Sequence, residues 1–122
     1  MKRVLCIDDD APILEMLKDV LTEIGCEVVT AKDGAEGLAL WKKSKFDLVV
    51  TDLLLPKIDG IRLAEQLRAA DPKARILVIT AINHSLEKEL QSAPIDGYFP
   101  KPIPFAKFKA RVRELLDGPP VV

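Results

Sequence analysis

Five times along this chain a short run of apolar, mostly β-branched residues gives way to a stretch whose apolar residues recur at helical spacing. Strands that alternate with helices in this way confine the fold to a parallel sheet covered on both faces. The strand-like runs are 4–7, 27–30, 48–51, 76–79 and 97–99. Between and after them lie five helical stretches. The first spans 11–24, with Ile13, Leu17, Val20, Leu21 and Ile24 on one stripe and Gly25 as its stop. The second spans 34–43, with Ala35, Leu38 and Trp41 turned inward. The third spans 60–69 and is ended by Asp71-Pro72. A weaker fourth covers 85–92, and the last spans 105–116, with Phe105, Phe108, Val112 and Leu115 inside. Right-handed crossovers leave only a few doubly wound orders. The continuous apolar runs 4–7 and 76–79 suit central strands, and Glu27 makes the second run a better edge.

At 122 residues the chain fits one domain with one sizeable core, and its net charge of −1 gives no electrostatic footprint for nucleic acid. No apolar stretch approaches the ~18 residues of a membrane span. The Met1-Lys2-Arg3 start meets three aspartates after four apolar residues, which does not read as a signal peptide. Cys6 and Cys26 read as small buried thiols, since no histidine or third cysteine joins them as metal ligands. A reduced cytoplasm is the expected setting. The domain is expected to occupy 1–117, with 118–122 as a tail or truncated linker.

The chemistry lies where the apolar runs stop. Val4–Ile7 ends at Asp8-Asp9-Asp10, the third run at Asp52, the fourth at Thr80, and the fifth, through Pro100, at Lys101-Pro102. In open parallel sheets ligands bind beyond the carboxyl ends of the strands, so these side chains would emerge at one edge. Three carboxylates brought within a few ångströms raise one another's pKa unless a cation joins them, and a hard oxygen-seeking ion such as Mg²⁺ suits that set. A carboxylate between such a cation and the Lys101 ammonium is arranged to attack phosphorus.

These residues carry a family resemblance. Asp8-Asp9, Asp52-Leu53-Leu54-Leu55-Pro56 with Asp59-Gly60, Thr80-Ala81 and Lys101-Pro102, in this order, resemble the receiver domain of two-component response regulators over residues 2 to about 116. Each dipeptide alone is weak; all of them in order at strand ends are specific. The resemblance, not the patterning, supplies the strand order 2-1-3-4-5, which would bring Asp8, Asp9 and Asp52 together.

Carried over residue by residue, the resemblance implies the following roles. Asp52 is the phosphoacceptor. Asp9, Asp52 and the backbone carbonyl of Leu54 ligate Mg²⁺ (or Mn²⁺), with Asp8 acting through water. Thr80 and Lys101 bind the phosphoryl oxygens, Tyr98 and Thr80 report the switch, and the Lys101–Pro102 peptide is cis. The donor would be a sensor histidine kinase or a histidine phosphotransfer protein. Output would pass by protein–protein contact through the surface of the fourth and fifth helices and last strand, to a downstream protein or output domain or by phosphorylation-dependent dimerisation. Such a domain catalyses only its own phosphorylation and its slow loss. No membrane or direct nucleic-acid contact is implied.

The chain departs from the usual pattern of that family at Pro94 within an apolar-poor segment 82–95, and at Pro100, Pro102 and Pro104 before the last helix. Leu54 and Ile82, two residues after Asp52 and Thr80, cannot orient an attacking water, so self-dephosphorylation is expected to be slow. Plainer readings stand beside these. Asp10 would cap the first helix with Pro12 in its first turn, and Asp59 would cap the third. Trp41 is packing, and His84 is assigned no role. Lys107, Lys109, Arg111 and Arg113 form a solvated face of the last helix or a docking patch. The rival functions are a phosphorylation-independent interaction module and an aspartyl-phosphate phosphatase. The phosphatase lacks its second carboxylate because Leu54 stands there. A flavodoxin-like cofactor binder lacks a phosphate loop.

Overall fold

In the computed structural model, which describes residues 1–55, 57–81 and 84–117 (84–86 as backbone only), five strands alternate with five helices. The elements are β1 (Lys2–Ile7), α1 (Ala11–Glu23), β2 (Cys26–Ala31), α2 (Gly34–Lys43) and β3 (Leu48–Asp52). They continue with α3 (Gly60–Ala70), β4 (Ile76–Thr80), α4 (His84–Ser92), β5 (Tyr98–Pro100) and α5 (Phe105–Asp117). The strands are all parallel in the order β2-β1-β3-β4-β5, as the resemblance implied, with β2 at the edge.

Alternate residues of the strands feed two cores. Val4 and Cys6 of β1 pack with Leu17 and Leu21 of α1 and Phe108 and Val112 of α5 on one face. Leu5 and Ile7 pack with Val49, Leu63 and Leu67 on the other, beneath α2 and α3. Cys6 and Cys26 are buried free thiols in the first core. Phe108 is wholly buried and meets Phe99 edge-on at 5.7 Å. Leu90 is the buried anchor of α4, against Leu53 and Val78. The last helix also buries Leu116, which the sequence reading did not place inside.

The inner face of α2 differs from expectation. Gly34 and Gly37 are its fully buried residues, and Ala35 is only half-buried. A Cβ on Gly37 would run into the Ile7 side chain, 2.8 Å from its Cγ1, so glycine lets this helix lie closer to β1 than a side chain allows.

One of the two expected caps forms: Asp59 accepts from the Arg62 amide at 2.9 Å. A cap that the sequence reading did not name forms at α2, where Asp33 accepts from the Glu36 amide at 2.8 Å and the Glu36 carboxylate accepts from the Lys32 amide. Asp10 does not cap α1: it stands at the N-cap position, but its side chain makes no cap bond. Its amide instead donates to Asp8 Oδ1 at 2.9 Å, and Pro12, which has no amide hydrogen, reduces the demand for a cap. Gly25, at φ 92°, turns the chain after α1. The expectations for the tail 118–122 and for Pro56, Ile82 and the His84 side chain fall outside the described residues.

Candidate functional site

The register of the sheet brings the polar strand ends level. Ile7 pairs with Thr51, Asp52 with Ile79, and Thr80 with Pro100, so Asp8, Asp52, Thr80 and Lys101 follow one another across four adjacent strand ends. The Lys101 amide extends the ladder to the Thr80 carbonyl at 3.1 Å, and the Asp8 amide does the same to Ala31 at 3.1 Å. The Lys101–Pro102 peptide is cis, as expected.

Lys101 Nζ donates to Asp8 Oδ2 and to Asp52 Oδ2, each at 3.0 Å. Both carboxylates are buried, while Asp9 beside them is exposed. One carboxylate oxygen from each of Asp8, Asp9 and Asp52 lies within 4.8 Å of the others. Burial pushes the Asp8 carboxyl above its ordinary range and the Asp52 charge adds to this, against the opposing pull of the Asp10 amide and Lys101. Burial alone would depress Lys101, but its hydrogen bonds to Asp52 and Asp8 overcome this and raise it. The ammonium therefore stays charged between two carboxylates and leaves a net negative pocket.

Thr80 is 1% exposed, and its hydroxyl has no hydrogen-bond partner among the described residues. A buried hydroxyl left unpaired is costly, about 1–3 kcal/mol, so this donor stands ready for an incoming oxygen. Tyr98, half-buried at the start of β5, packs on Leu53, Val78 and Leu90.

A set of contacts that the sequence reading did not foresee, some through residues it named for other reasons and some through Asp33, Gly34 and Lys57, holds the loop after Asp52 in place. The Leu54 amide donates to Asp52 Oδ1 at 3.3 Å, and the Gly60 amide donates to the Leu53 carbonyl at 2.8 Å. Gly60 sits so close to β3 that a Cβ there would strike the Asp52 carbonyl and lie 2.9 Å from Leu53 Cα. Gly34 is packed just as tightly on Ile58. Lys57, at φ 71°, takes the left-handed conformation rare for a side-chain-bearing residue, and its ammonium reaches Asp33 Oδ2 at 3.3 Å. Asp33 thus caps α2 with one oxygen and tethers the loop with the other. Asp59-Gly60 is the only trace of this in the sequence.

A three-carboxylate pocket with one fixed ammonium, at the carboxyl edge of a doubly wound sheet, defines an α/β domain suited to a hard cation and an anionic group. The response regulator receiver domain model matches residues 4–113, and the chain belongs to that family. It is 37% identical over 116 residues to the alkaline phosphatase synthesis transcriptional regulatory protein PhoP of Bacillus subtilis, covering 94% of this chain and 48% of that protein. It is 37% identical to the response regulator MprA of a Mycobacterium species, covering 93% of this chain and 50% of that one. The chain thus spans about half the length of the curated relatives it matches. Among solved structures it superposes on the response regulator TrrA of Thermotoga maritima, in complex with Mg²⁺–BeF, with a TM-score of 0.88 and 37% identity over 95% of this chain and all of that one. A CheY-like receiver domain from Methanospirillum hungatei gives a TM-score of 0.88 at 30% identity, covering 96% and 94% of the two chains. Among the described residues, no helix is long and apolar enough to cross a membrane.

Proposed function

We propose that this domain is a phosphorylation-controlled switch of a two-component phosphorelay, working in the cytoplasm. Asp52 accepts a phosphoryl group from the phosphohistidine of a sensor kinase or histidine phosphotransfer protein. One oxygen of its carboxylate attacks phosphorus, the bond from phosphorus to the imidazole nitrogen breaks, and the imidazole keeps that electron pair. The domain turns over no separate substrate; it catalyses its own phosphorylation and the slow return.

The observation that carries this reading is the Lys101 ammonium, 3.0 Å from both Asp8 and Asp52. It fixes the nucleophile and supplies positive charge where oxygens of the transferring group must lie. The donor set also fits a divalent cation. Three carboxylate oxygens within 4.8 Å are hard ligands, few enough to leave Mg²⁺ several waters, and only one ammonium offsets their charge. Asp9, Asp52 and the Leu54 carbonyl would hold the ion, with Asp8 acting through water; Mn²⁺ could substitute. When bound, the cation neutralises charge on the phosphoryl oxygens.

Phosphorylation adds about two negative charges beside Thr80 and Lys101. The unpaired Thr80 hydroxyl can then donate to the new oxygens, and Lys101 must redistribute its bonds among Asp8, Asp52 and the phosphoryl group. That difference in contacts biases the surface built by α4, β5 and α5, with Tyr98 at its junction with Leu53. Output follows by protein–protein contact.

Treatment with acetyl phosphate and Mg²⁺, read by intact mass, tests the proposal. Wild type acquires one phosphoryl group, Asp52→Asn acquires none, and Lys101→Ala acquires it more slowly and does not propagate the change. Leu54 beside the site cannot orient water, so the phosphoryl group is slow to leave. Equal labelling of wild type and Asp52→Asn, or of neither, would refute the reading. A phosphoryl half-life of seconds in the purified protein would overturn the slow return.

A further inference from the structure

α3 and α4 leave between them an open groove of about 540 Å³ that the phosphoacceptor pocket does not use. Its wall begins immediately after Asp52, with Leu53 and Leu54, and continues along α3 at Ile61. Leu54 is 65% exposed and, with Leu53 and Ile61 beside it, forms a contiguous apolar lining. The rim carries Asp59, Glu65 and Glu89 against Arg62 alone. Asp59 is engaged in capping α3. Glu65, Glu89 and Arg62 have no ion-pair partner among the described residues. An apolar trough edged by three carboxylates and one guanidinium complements a ligand that is apolar on one side and basic on its flanks.

The groove is lined by the first turns of α3 at Ile61, Arg62 and Glu65 and by the end of α4 at Glu89 and Ser92. An open groove between two helices suits the apolar face of a helix that seats side chains one turn apart in it and keeps its basic flanks at the rim. Leu54 joins this surface to the acidic pocket. Its amide donates to Asp52 Oδ1 at 3.3 Å while its side chain forms the groove wall. A change in what Asp52 Oδ1 accepts shifts the Leu54 backbone and with it the wall, and by reciprocity an occupant of the groove acts back on Asp52.

We propose that the α3–α4 groove docks an amphipathic, lysine- or arginine-bearing helix of a partner protein, and that Leu54 links this docking to the state of Asp52. The link, though not the docking, rests on Asp52 being the phosphoacceptor.

The test titrates the full chain with a synthetic helix of about four turns, leucines along one stripe and lysines elsewhere, followed by amide chemical shifts. A control peptide replaces every lysine with glutamate. The expected result is saturable shifts centred on Leu53, Leu54, Ile61 and Arg62, binding at least tenfold weaker to the glutamate peptide, and a similar loss in Glu65→Lys/Glu89→Lys. If that double variant does not fold, the wild-type shift map and the peptide pair decide alone. Shifts centred on α1 or α5, or equal binding of both peptides, would overturn the docking. Shifts of the groove amides on concentrating the protein without peptide would overturn it in favour of a second copy.

The titration is repeated after acetyl phosphate treatment, with phosphorylation verified by mass. A change in affinity of threefold or more supports the link, and an unchanged affinity refutes it. If mass shows no phosphoryl group on Asp52, the proposed function fails and takes the link with it, while the groove map still judges the docking.

Discussion

Gly60→Ala separates local helix propensity from the packing that holds the phosphoacceptor. Gly60 opens α3, where alanine is ordinarily the better helix former by about 1 kcal/mol. The added methyl, however, would strike the carbonyl of Asp52 and sit 2.9 Å from Leu53 Cα and 3.2 Å from the Asp52 carbonyl carbon. These are backbone atoms of a fully buried strand end and its continuation, so no side chain can swing aside. Overpacking of this kind costs about 1–3 kcal/mol, and an immovable neighbour places it at the upper end. Setting ~3 against ~1 leaves a net loss of about 2 kcal/mol. For a domain of this size that lowers the melting temperature by about 8 °C. The methyl acts on the residue that carries the nucleophile, so relief by backbone movement displaces the Asp52 carboxylate from Lys101. Thermal melting and acetyl phosphate labelling are read together: the variant melts lower and labels more slowly. Gly25→Ala is the comparison, strained by its φ of 92° in open space yet remote from the site, and it should lose stability while labelling normally. A Gly60→Ala protein that melts at or above wild type and labels at the wild-type rate would refute the reasoning.

Mg²⁺ at ten times its dissociation constant should stabilise the protein by about 1.4 kcal/mol, or about 6 °C; Asp9→Asn should abolish most of that shift, and a full shift in the variant would remove Asp9 from the donor set. Burial pushes the thiols of both Cys6 and Cys26 up, so neither should react with iodoacetamide in the native protein, and both should react in denaturant, as counted by intact mass. Asp33 is held below its ordinary carboxylate range, chiefly by the Glu36 amide and then by Lys57. A lowered carboxylate contributes stability that is present above its unfolded pKa and lost as pH falls through the folded one. The stability deficit of Asp33→Asn at neutral pH should therefore shrink in urea titrations below pH ~3.9; a deficit independent of pH would show that the charge is irrelevant.

The alternation of apolar runs was enough to read the class of fold, and the helices α1, α3 and α5 were legible because each commits one stripe to a core. Boundaries were less so. β1 begins at Lys2 rather than Val4, because Lys2 and Arg3 pair with Cys26 and Glu27 of the edge strand, a contact invisible from one strand alone. α2 was misread at Ala35 because a buried glycine contributes no apolar signal even where its missing side chain sets the packing. Asp10 was misassigned as a cap because Asp and Pro in a first turn look alike whether the carboxylate turns inward or away.

The site was legible as residue types at strand ends, but its assembly was not. Lys101 and Asp8 are 93 positions apart, and only the strand order, supplied by resemblance, brings them together. That Lys101 bonds Asp8 as closely as Asp52 could not be read even from the register, since β3 and β4 stand between β1 and β5. The groove beside Leu54 left no periodic trace, since its apolar wall comes half from a loop.

At the opposite edge of the sheet, Asp96 accepts from Arg68 of α3 at 3.0 Å and from the first amide of β4 at 2.7 Å, while its carbonyl accepts from Arg111 of α5 at 2.7 Å. One residue thereby ties the amino ends of two strands to the carboxyl halves of two helices. Removing the Asp96 carboxylate would therefore cut loose α3 and the start of β4 together, leaving Arg68 and the Ile76 amide without their shared acceptor.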